Sequence, residues 1–368
     1  MKIIVTGSKG FIGKNLCLML LEHGYEDVVE VDRNTSTKNL VKYLGEADFI
    51  YHLAGINRPK DDADFQKGNT DLTCFITEQL KKIGKQVPLV ISSSIQANSD
   101  NLYGQSKLKA EKAVEKYGID TNAPYYIFRF PNVFGKWCRP NYNSFVATFC
   151  HNIHNNFDIK INDPEASVTL VYIDDVCHRL ISLLDDSISS GFIKVEPEYH
   201  TTVGRVASLL LAFRDSRSNL ITENVGTGFT RALYSTYLSH MNPSQFSYAI
   251  PGYRDERGIF SEMLKTRDAG QVSFFTAHPS ITRGGHYHHT KNEKFLVVKG
   301  NALFKFENLA TGEKFSLETD STSLKIVETI PGWSHDVTNI GDSEMIVMLW
   351  ANEIFNRDAP DTFNRPLK

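Results

Sequence analysis

The 368-residue chain is predicted to form two domains of different class: a doubly wound parallel α/β domain over residues 1–243, then an all-β domain over 247–368. Three observations predict this. The first 180 or so residues alternate apolar strand-like runs with segments of helical period, the order of a parallel sheet built from βαβ units. After Pro243 the chain turns to short alternating strands, parted by turns such as Lys299-Gly-Asn, Ala310-Thr-Gly and Asn339-Ile-Gly-Asp. The length also supplies enough apolar residues for two cores.

Taken in order, strands are expected at Lys2–Thr6, Val28–Val31, Asp48–Leu53, Pro88–Ser92 and Tyr125–Phe130, each a short apolar run. Helices are expected at Phe11–His23, Asp71–Ile83 and Tyr103–Tyr117, where apolar residues recur with a 3.6 period. Gly191–Val195 reads as one more strand, and Val203–Arg214 and Arg231–Leu238 as helices. The boundary falls near Asn242–Ser247. Beyond it, strands are expected at Val272–Ala277, Lys294–Val298, Ala302–Glu307, Leu324–Val327 and Glu344–Ala351.

Composition excludes several classes of function. Hydrophobic residues make up 41% and charged residues 23%, which argues against disorder. The net charge of −3 leaves no basic excess for nucleic acid. No apolar stretch approaches the roughly 20 residues of a membrane span, and the N-terminus enters a strand without a signal-like segment. Cys17, Cys74, Cys138, Cys150 and Cys177 are odd in number, scattered and free of any CxxC pair, so reduced thiols and a cytoplasmic setting are expected.

The most specific local signal is Gly7-Ser-Lys9-Gly10-Phe11-Ile12-Gly13, between the first strand and the first helix. The glycines permit a tight turn and close backbone approach to a pyrophosphate, and the helix start offers free N–H groups and a favourable dipole. This is the Rossmann-type dinucleotide arrangement. The second strand ends in Asp32, suited to ribose hydroxyls, followed by Arg33, suited to a 2′-phosphate. Arg33 and Lys9 together favour NADP(H), against the simpler reading that both are solvated.

Tyr103-Gly-Gln-Ser-Lys107 opens the long helix with a phenol and an ammonium four residues apart, hence on one face. A neighbouring ammonium favours phenolate and makes the pair a workable proton donor. Ser92-Ser93-Ser94 closes the fourth strand, at the sheet edge where such folds hold ligands, and one of these hydroxyls is suited to bond a substrate carbonyl. A YxxxK pair alone is common on helices; its weight comes from sharing a chain with the Gly-rich turn and the serine strand end.

With these motifs, residues 1–243 resemble the extended short-chain dehydrogenase/reductases that act on nucleotide sugars: TGSKGFIG (6–13), HLAG (52–55), SSS (92–94), YGQSK (103–107), RFPNVFG (129–135) and YIDDV (172–176). The resemblance implies Ser94, Tyr103 and Lys107 as the catalytic set, with Ser94 and Tyr103 on the carbonyl oxygen and Lys107 on the nicotinamide ribose. It also implies Leu53, Ala54 and Gly55 along the cofactor and Asn132 near the substrate. Ser94 and Tyr103 lie nine residues apart, closer than is usual in that family, which implies an altered substrate rim.

The second constellation is His286-Tyr-His288-His289 with Glu293, then Pro331-Gly-Trp-Ser-His335. Residues 286 and 288 of a strand share a face. His286, His288, Glu293 and His335 make an N/O set for a first-row divalent metal, zinc foremost, with Fe, Mn, Ni and Co also suited. His289 falls on the other face unless a bulge intervenes. HYHHTKNEKFLVVKG and PGWSHDVTN resemble the two motifs of the cupin (jelly-roll) superfamily, although Ser280 stands where its first motif has glycine. The Arg283-Gly-Gly-His286 lead-in is similar to sugar-nucleotide epimerase cupins, which leaves His286 two roles, ligand or general base. Arg283 is either a pyrophosphate ligand or a solvated cation.

The whole chain, in this domain order, resembles the bifunctional reductase–cupin enzymes of staphylococcal capsular polysaccharide synthesis. That implies a homodimer acting on a UDP-linked 4-keto-6-deoxy-N-acetylhexosamine, with C3 epimerisation in the cupin and NADPH-dependent C4 reduction in the first domain, towards UDP-N-acetyl-L-fucosamine. Three readings compete: a reductase with a structural or dimerising metal cupin, a non-enzymatic cofactor and sugar sensor, and a dehydratase or 4-epimerase. Ile95-Gln96 after Ser94 offers none of the acids a dehydratase carries there.

Overall fold

Ile3–Thr6 (β1) is an unbroken apolar run, and all four of its residues are buried, as in a strand covered on both faces. Val28–Val31 (β2), Phe49–His52 (β3), Leu89–Ser94 (β4), Tyr125–Phe130 (β5) and, past two strands set apart below, Gly191–Phe192 (β8) join it in one sheet. The computed structural model describes residues 1–59, 61–185, 188–246, 248–289, 291–309, 311–323, 325–329 and 332–367. The sheet order is β2-β1-β3-β4-β5-β8, every pair parallel. Ile4, Ile50, Leu89, Ile91 and Ile127 pack against Ile76, Leu80, Val114 and Tyr117 of the helices Leu72–Ile83 and Leu102–Thr121. Each fully buried side chain of this kind stabilises by roughly 1.5–3 kcal/mol. Tyr117 is fully buried, and its hydroxyl donates to the Val87 carbonyl at 2.8 Å, so no polar group is stranded there.

Because the strands are parallel, their C-terminal ends meet at one edge. Gly7, Asp32, Leu53–Gly55 and Ser92–Ser94 all follow from that edge. A small second sheet of Asn132–Phe134 (β6), Ser167–Tyr172 (β7) and Tyr199–Thr202 (β9) carries the RFPNVFG and YIDDV segments.

Contacts divide the chain into two units. Met1–Leu210 gathers with Arg231–Met241, and Leu211–Thr230 gathers with the chain from Asn242 on. The second grouping has a specific cause: Ile221–Thr222 (β10) pairs in parallel with Gly258–Thr266 (β12). The second unit holds two sheets, counting also Tyr253–Asp255 (β11), Gly270–Ala277 (β13), Thr282–Tyr287 (β14), Glu293–Lys299 (β15), Asn301–Asn308 (β16), Lys314–Asp320 (β17), Ile326–Glu328 (β18), Trp333–Asn339 (β19), Met345–Ala351 (β20) and Phe363–Asn364 (β21). One sheet runs β10-β12-β13-β20-β15-β18, with β11 on β12, and the other β17-β16-β19-β14-β21. Phe275, Phe295, Phe304, Val337, Val347 and Leu349 form its core.

Sequence periodicity did not indicate the helices Thr37–Glu46, Phe145–His154 and Ile173–Ser182, nor strands β12, β14, β17 and β19. Ser247, Leu324 and Pro331 lie outside the described residues. Among the described residues no helix is long and apolar enough to cross a membrane.

Candidate functional site

The Gly-rich turn is built by close backbone approach. Gly7 has φ +72°, and a Cβ there would sit 2.7 Å from the Ala54 nitrogen; a Cβ at Gly13 would sit 2.3 Å from the Gly7 carbonyl oxygen. The helix Phe11–Glu22 begins at Gly10 with no side-chain cap, so its first N–H groups face outward. Asp32 accepts from the Asn34 N–H at 2.8 Å through one oxygen. Arg33 is exposed. Lys9 pairs with Glu30 at 2.7 Å on the exposed surface. Leu53 donates to the Thr6 carbonyl, and Ala54 to the Thr6 hydroxyl at 3.3 Å, so the segment after β3 runs beside the Gly-rich turn. His52, fully buried, is held by Thr6 at 2.7 Å and Thr73 at 2.9 Å; burial, helped by the Lys107 charge, lowers its pKa to about 3.

The structure brings Ser94, Tyr103 and Lys107 together. Asn101 caps the helix Leu102–Thr121 by accepting from the Gly104 N–H at 2.7 Å, which sets Tyr103 in its first turn. Lys107 is buried and donates to the Ser92 carbonyl at 2.9 Å, with its ammonium 6.0 Å from the Tyr103 ring centroid. Burial lowers the Lys107 pKa to about 8, with Glu111 opposing the shift. Burial raises the Tyr103 pKa, and a hydrogen bond with Ser94 works the other way.

Alternation along β4 separates the serines. Ser93 bonds to Glu111, leaving Ser94 towards Tyr103. The nine-residue spacing is bridged by a 3₁₀ turn, Ile95–Asn98, whose Gln96 carbonyl oxygen would lie 2.2 Å from a Cβ at Gly104. Sequence reasoning missed Asn69. It is buried in a π-helical turn, Gln66–Asp71, and bonds both backbone groups of Ile56 and the Ser106 hydroxyl, stitching the segment after Gly55 to the Tyr103 helix. Only the irregular helix turn marks it, and residue pattern does not reveal that. Asn132 is exposed at the start of β6.

In the second unit His286, His288, Glu293 and His335 converge, with one donor atom of each within 4.8 Å of the others. His286 and His335 face each other across β14 and β19, with a register shift between Gly284 and His286. Glu293 Oε2 is 3.3 Å from His288 Nε2 and 3.5 Å from His335 Nε2, while Oε1 takes Lys291 at 3.0 Å. Burial pushes the Glu293 pKa up, but the two imidazoles and Lys291 more than reverse it, well below the usual range. Burial, with the neighbouring His335, lowers the His286 pKa to about 4.

This donor set fits a divalent metal. Both ring nitrogens of His335 are buried without a hydrogen-bond partner, and a coordinated cation removes that cost at one of them. His288 Nδ1 lies 2.5 Å from the Asp361 carbonyl oxygen, which fixes Nε2 as the donor atom. The Asp361 carboxylate accepts from the backbone N–H groups of His289 and Lys291. No sequence motif flagged Asp361, because its contribution depends on β21 pairing with His286 and Tyr287. His289 is exposed and packs on Phe363, away from the cluster.

Lys291 and Glu293 also line a cavity of about 830 Å³ with Tyr253, Phe260, Glu262 and Arg357. Arg283 lies over Phe275 and donates to the Thr276 carbonyl at 2.9 Å.

The NAD dependent epimerase/dehydratase family matches residues 3–191, and the polysaccharide biosynthesis C-terminal domain matches residues 253–363. A UDP-2-acetamido-2,6-beta-L-arabino-hexul-4-ose reductase of Pseudomonas aeruginosa is 53% identical over 99% of this chain and 98% of its own. The crystal structure of the capsular polysaccharide assembling protein CapF from Staphylococcus aureus is 40% identical, covers both chains fully and superposes with a TM-score of 0.92. The UDP-glucuronic acid 4-epimerase of Bacillus cereus, solved with NAD, shares the fold over 65% of this chain and 98% of its own, at 20% identity and a TM-score of 0.56. The chain thus belongs to the NAD dependent epimerase/dehydratase family, among those members that continue into a polysaccharide biosynthesis C-terminal domain, as CapF does.

Proposed function

We propose that this protein is a bifunctional nucleotide-sugar enzyme of capsular polysaccharide precursor synthesis. Its C-terminal cupin domain epimerises C3 of a UDP-4-keto-6-deoxy-N-acetylhexosamine, and its N-terminal domain reduces the C4 ketone with NADPH. The observation that carries this reading is the convergence of Ser94, Tyr103 and Lys107 at the sheet edge beside the Gly-rich turn. The 53% identical relative, named as a 4-ulose reductase, supports the same substrate class.

In the reduction, Ser94 and Tyr103 hydrogen-bond the C4 oxygen, and Tyr103 transfers its proton to that oxygen as the alcohol forms. Lys107 keeps positive charge beside the phenol and reaches the nicotinamide ribose. The Gly-rich turn and the start of the helix Phe11–Glu22 take the pyrophosphate, with Gly7, Gly10 and Gly13 giving the room. Arg33 is the cation best suited to a 2′-phosphate, since Lys9 is engaged by Glu30. The nicotinamide supplies the hydride.

In the epimerisation, the 4-keto group acidifies the C3 hydrogen, and a base on one face removes it before reprotonation on the other. A divalent cation, zinc foremost, held by His286, His288, Glu293 and His335 supplies Lewis acidity. His286 has the alternative role of base. The protein is expected to act as a cytoplasmic homodimer.

The test is proton exchange in D₂O with the UDP-4-keto sugar and no NADPH, followed by NADPH addition. Deuterium is expected at C3 in wild type and in Tyr103→Phe, and none in His288→Ala. Absence of exchange in wild type with NADPH still consumed would refute the epimerase reading and leave a reductase with a structural cupin.

A further inference from the structure

Glu111 is 1% exposed, yet it carries a carboxylate into the apolar layer between β4, β5 and the helix Leu102–Thr121. It is fully engaged there. One oxygen takes the Ser93 hydroxyl and Arg129 Nε at 2.9 Å; the other takes Arg129 Nη2 at 2.6 Å. Arg129 Nη1 donates to Asn98 at 2.8 Å, which ties in the 3₁₀ turn after Ser94. Ser93 and Arg129 are register partners across β4 and β5.

A buried ion pair is weak evidence for stability, since apolar residues of similar size hold a core as well. This one sits in a telling place. Lys107 and Glu111 are one helical turn apart on the same face. Lys107 grips β4 through the Ser92 carbonyl, and Glu111 grips it through the Ser93 hydroxyl. The next residue is Ser94.

We propose that Glu111 is a positioning residue for the reduction: through Ser93, Arg129 and Asn98 it fixes the end of β4 so that Ser94 faces Tyr103, and it keeps an anion one helical turn from the Lys107 ammonium. The proposal rests on the reading that Ser94, Tyr103 and Lys107 carry the reduction. The charged and titratable groups facing this pair are Arg129 from β5, His52 from β3, and Tyr103 and Glu115 from the same helix. The Glu111 charge opposes the loss of the Lys107 proton that burial favours. Removing that charge therefore moves deprotonation of Lys107 to lower pH.

The experiment is steady-state reduction of the UDP-4-keto sugar by NADPH across pH in full-length wild type, Glu111→Gln, Glu111→Asp and Ser93→Ala. Glu111→Gln is expected to lose about 10–100-fold in kcat with KM within about threefold, as for a misplacement near 1 Å. Its alkaline limb moves to lower pH. Glu111→Asp keeps the wild-type limb with a lower kcat, and Ser93→Ala loses kcat with the limb unmoved. A Glu111→Gln profile that superposes on wild type overturns the proposal, as does a Ser93→Ala kcat equal to wild type. Should wild type itself reduce no keto sugar, the reductase reading fails, and crystal structures of Ser93→Ala and Glu111→Gln decide the network alone. A Ser94 hydroxyl displaced from Tyr103 supports it, and an unmoved one refutes it.

Discussion

Replacing Gly104 with alanine tests the construction of the reductase site. Gly104 follows Tyr103, and an added Cβ would lie 2.2 Å from the Gln96 carbonyl oxygen and 2.6 Å from that of Ser99. Both are backbone atoms of the connection that brings Ser94 and Tyr103 together across nine residues, so neither can swing aside as a side chain would. Ordinary C···O contact is roughly 3.3 Å, so turn and helix must part by about 1 Å. Overpacking of this kind costs about 1–3 kcal/mol, and alanine returns ~1 kcal/mol of helix propensity. The net loss is about 0–2 kcal/mol, or at most a few degrees in Tm. The effect on turnover is larger, because a 1 Å misplacement of reacting groups costs about 100-fold. Stopped-flow NADPH oxidation with the UDP-4-keto sugar, beside a thermal melt, reads both. A kcat within threefold of wild type would show that the Gln96 turn does not set the Ser94–Tyr103 geometry.

Three further outcomes are expected. His52 is neutral when folded, with its pKa near 3 against 6.5 unfolded, so its contribution is intact above pH 6.5 and is lost as pH falls towards 3. By pH 5 this amounts to about 2 kcal/mol; urea unfolding at pH 7 and pH 5 should show His52→Gln losing less than wild type over that interval, and an equal loss would contradict the assignment. Arg33→Ala should raise KM for NADPH about tenfold and leave NADH little changed, whereas Lys9→Ala, already neutralised by Glu30, should change either by less than threefold; the reverse ranking in steady-state kinetics would move the phosphate contact to Lys9. Metal content by elemental analysis should fall in His335→Ala and not in His289→Ala, and chelation should lower Tm, since a ligand at 100 times its Kd stabilises by about 2.7 kcal/mol; equal content in all three proteins would refute the donor set.

The chain reveals its architecture where period and burial coincide. Val28–Val31 and Tyr125–Phe130 form the strands expected at those residues, because their apolar runs are short and bounded by turns. The helix Leu102–Thr121 extends past the expected Tyr117, since Gly118 packs on the Tyr125 ring and is not a terminator. β19 escaped notice as a strand, and β14 was expected only where His286 and His288 share a face although it ends at Tyr287, because these residues are chosen for donors and not for alternation: His286 and His335 stand where an apolar residue would signal the inner face. The donor set was nonetheless legible as four residues in two motifs. The residue pattern alone did not separate Ser94 from Ser93, because that depends on which face meets Glu111, and only the family resemblance singled out Ser94. Asp361 and Asn69 were illegible for the same reason: Asp361 through its backbone carbonyl and Asn69 through its side-chain amide each meet a partner distant in sequence that folding brings near.

The opposed serines of β4 carry a consequence for how this strand end can change over generations. Ser93 looks towards Glu111 and Ser94 towards Tyr103, so their jobs are distinguished by parity alone. Swapping one serine for another residue damages one job. Inserting a single codon upstream within the strand moves Ser92 and Ser93 into the two facings and leaves a hydroxyl at each, whereas deleting one moves Ser94 to the Glu111 side and brings Ile95 to face Tyr103, with the tripeptide spelled as before. The triple serine thus tolerates slippage in one direction only, and an alignment that treats its three letters as interchangeable would count the deletion variant as intact.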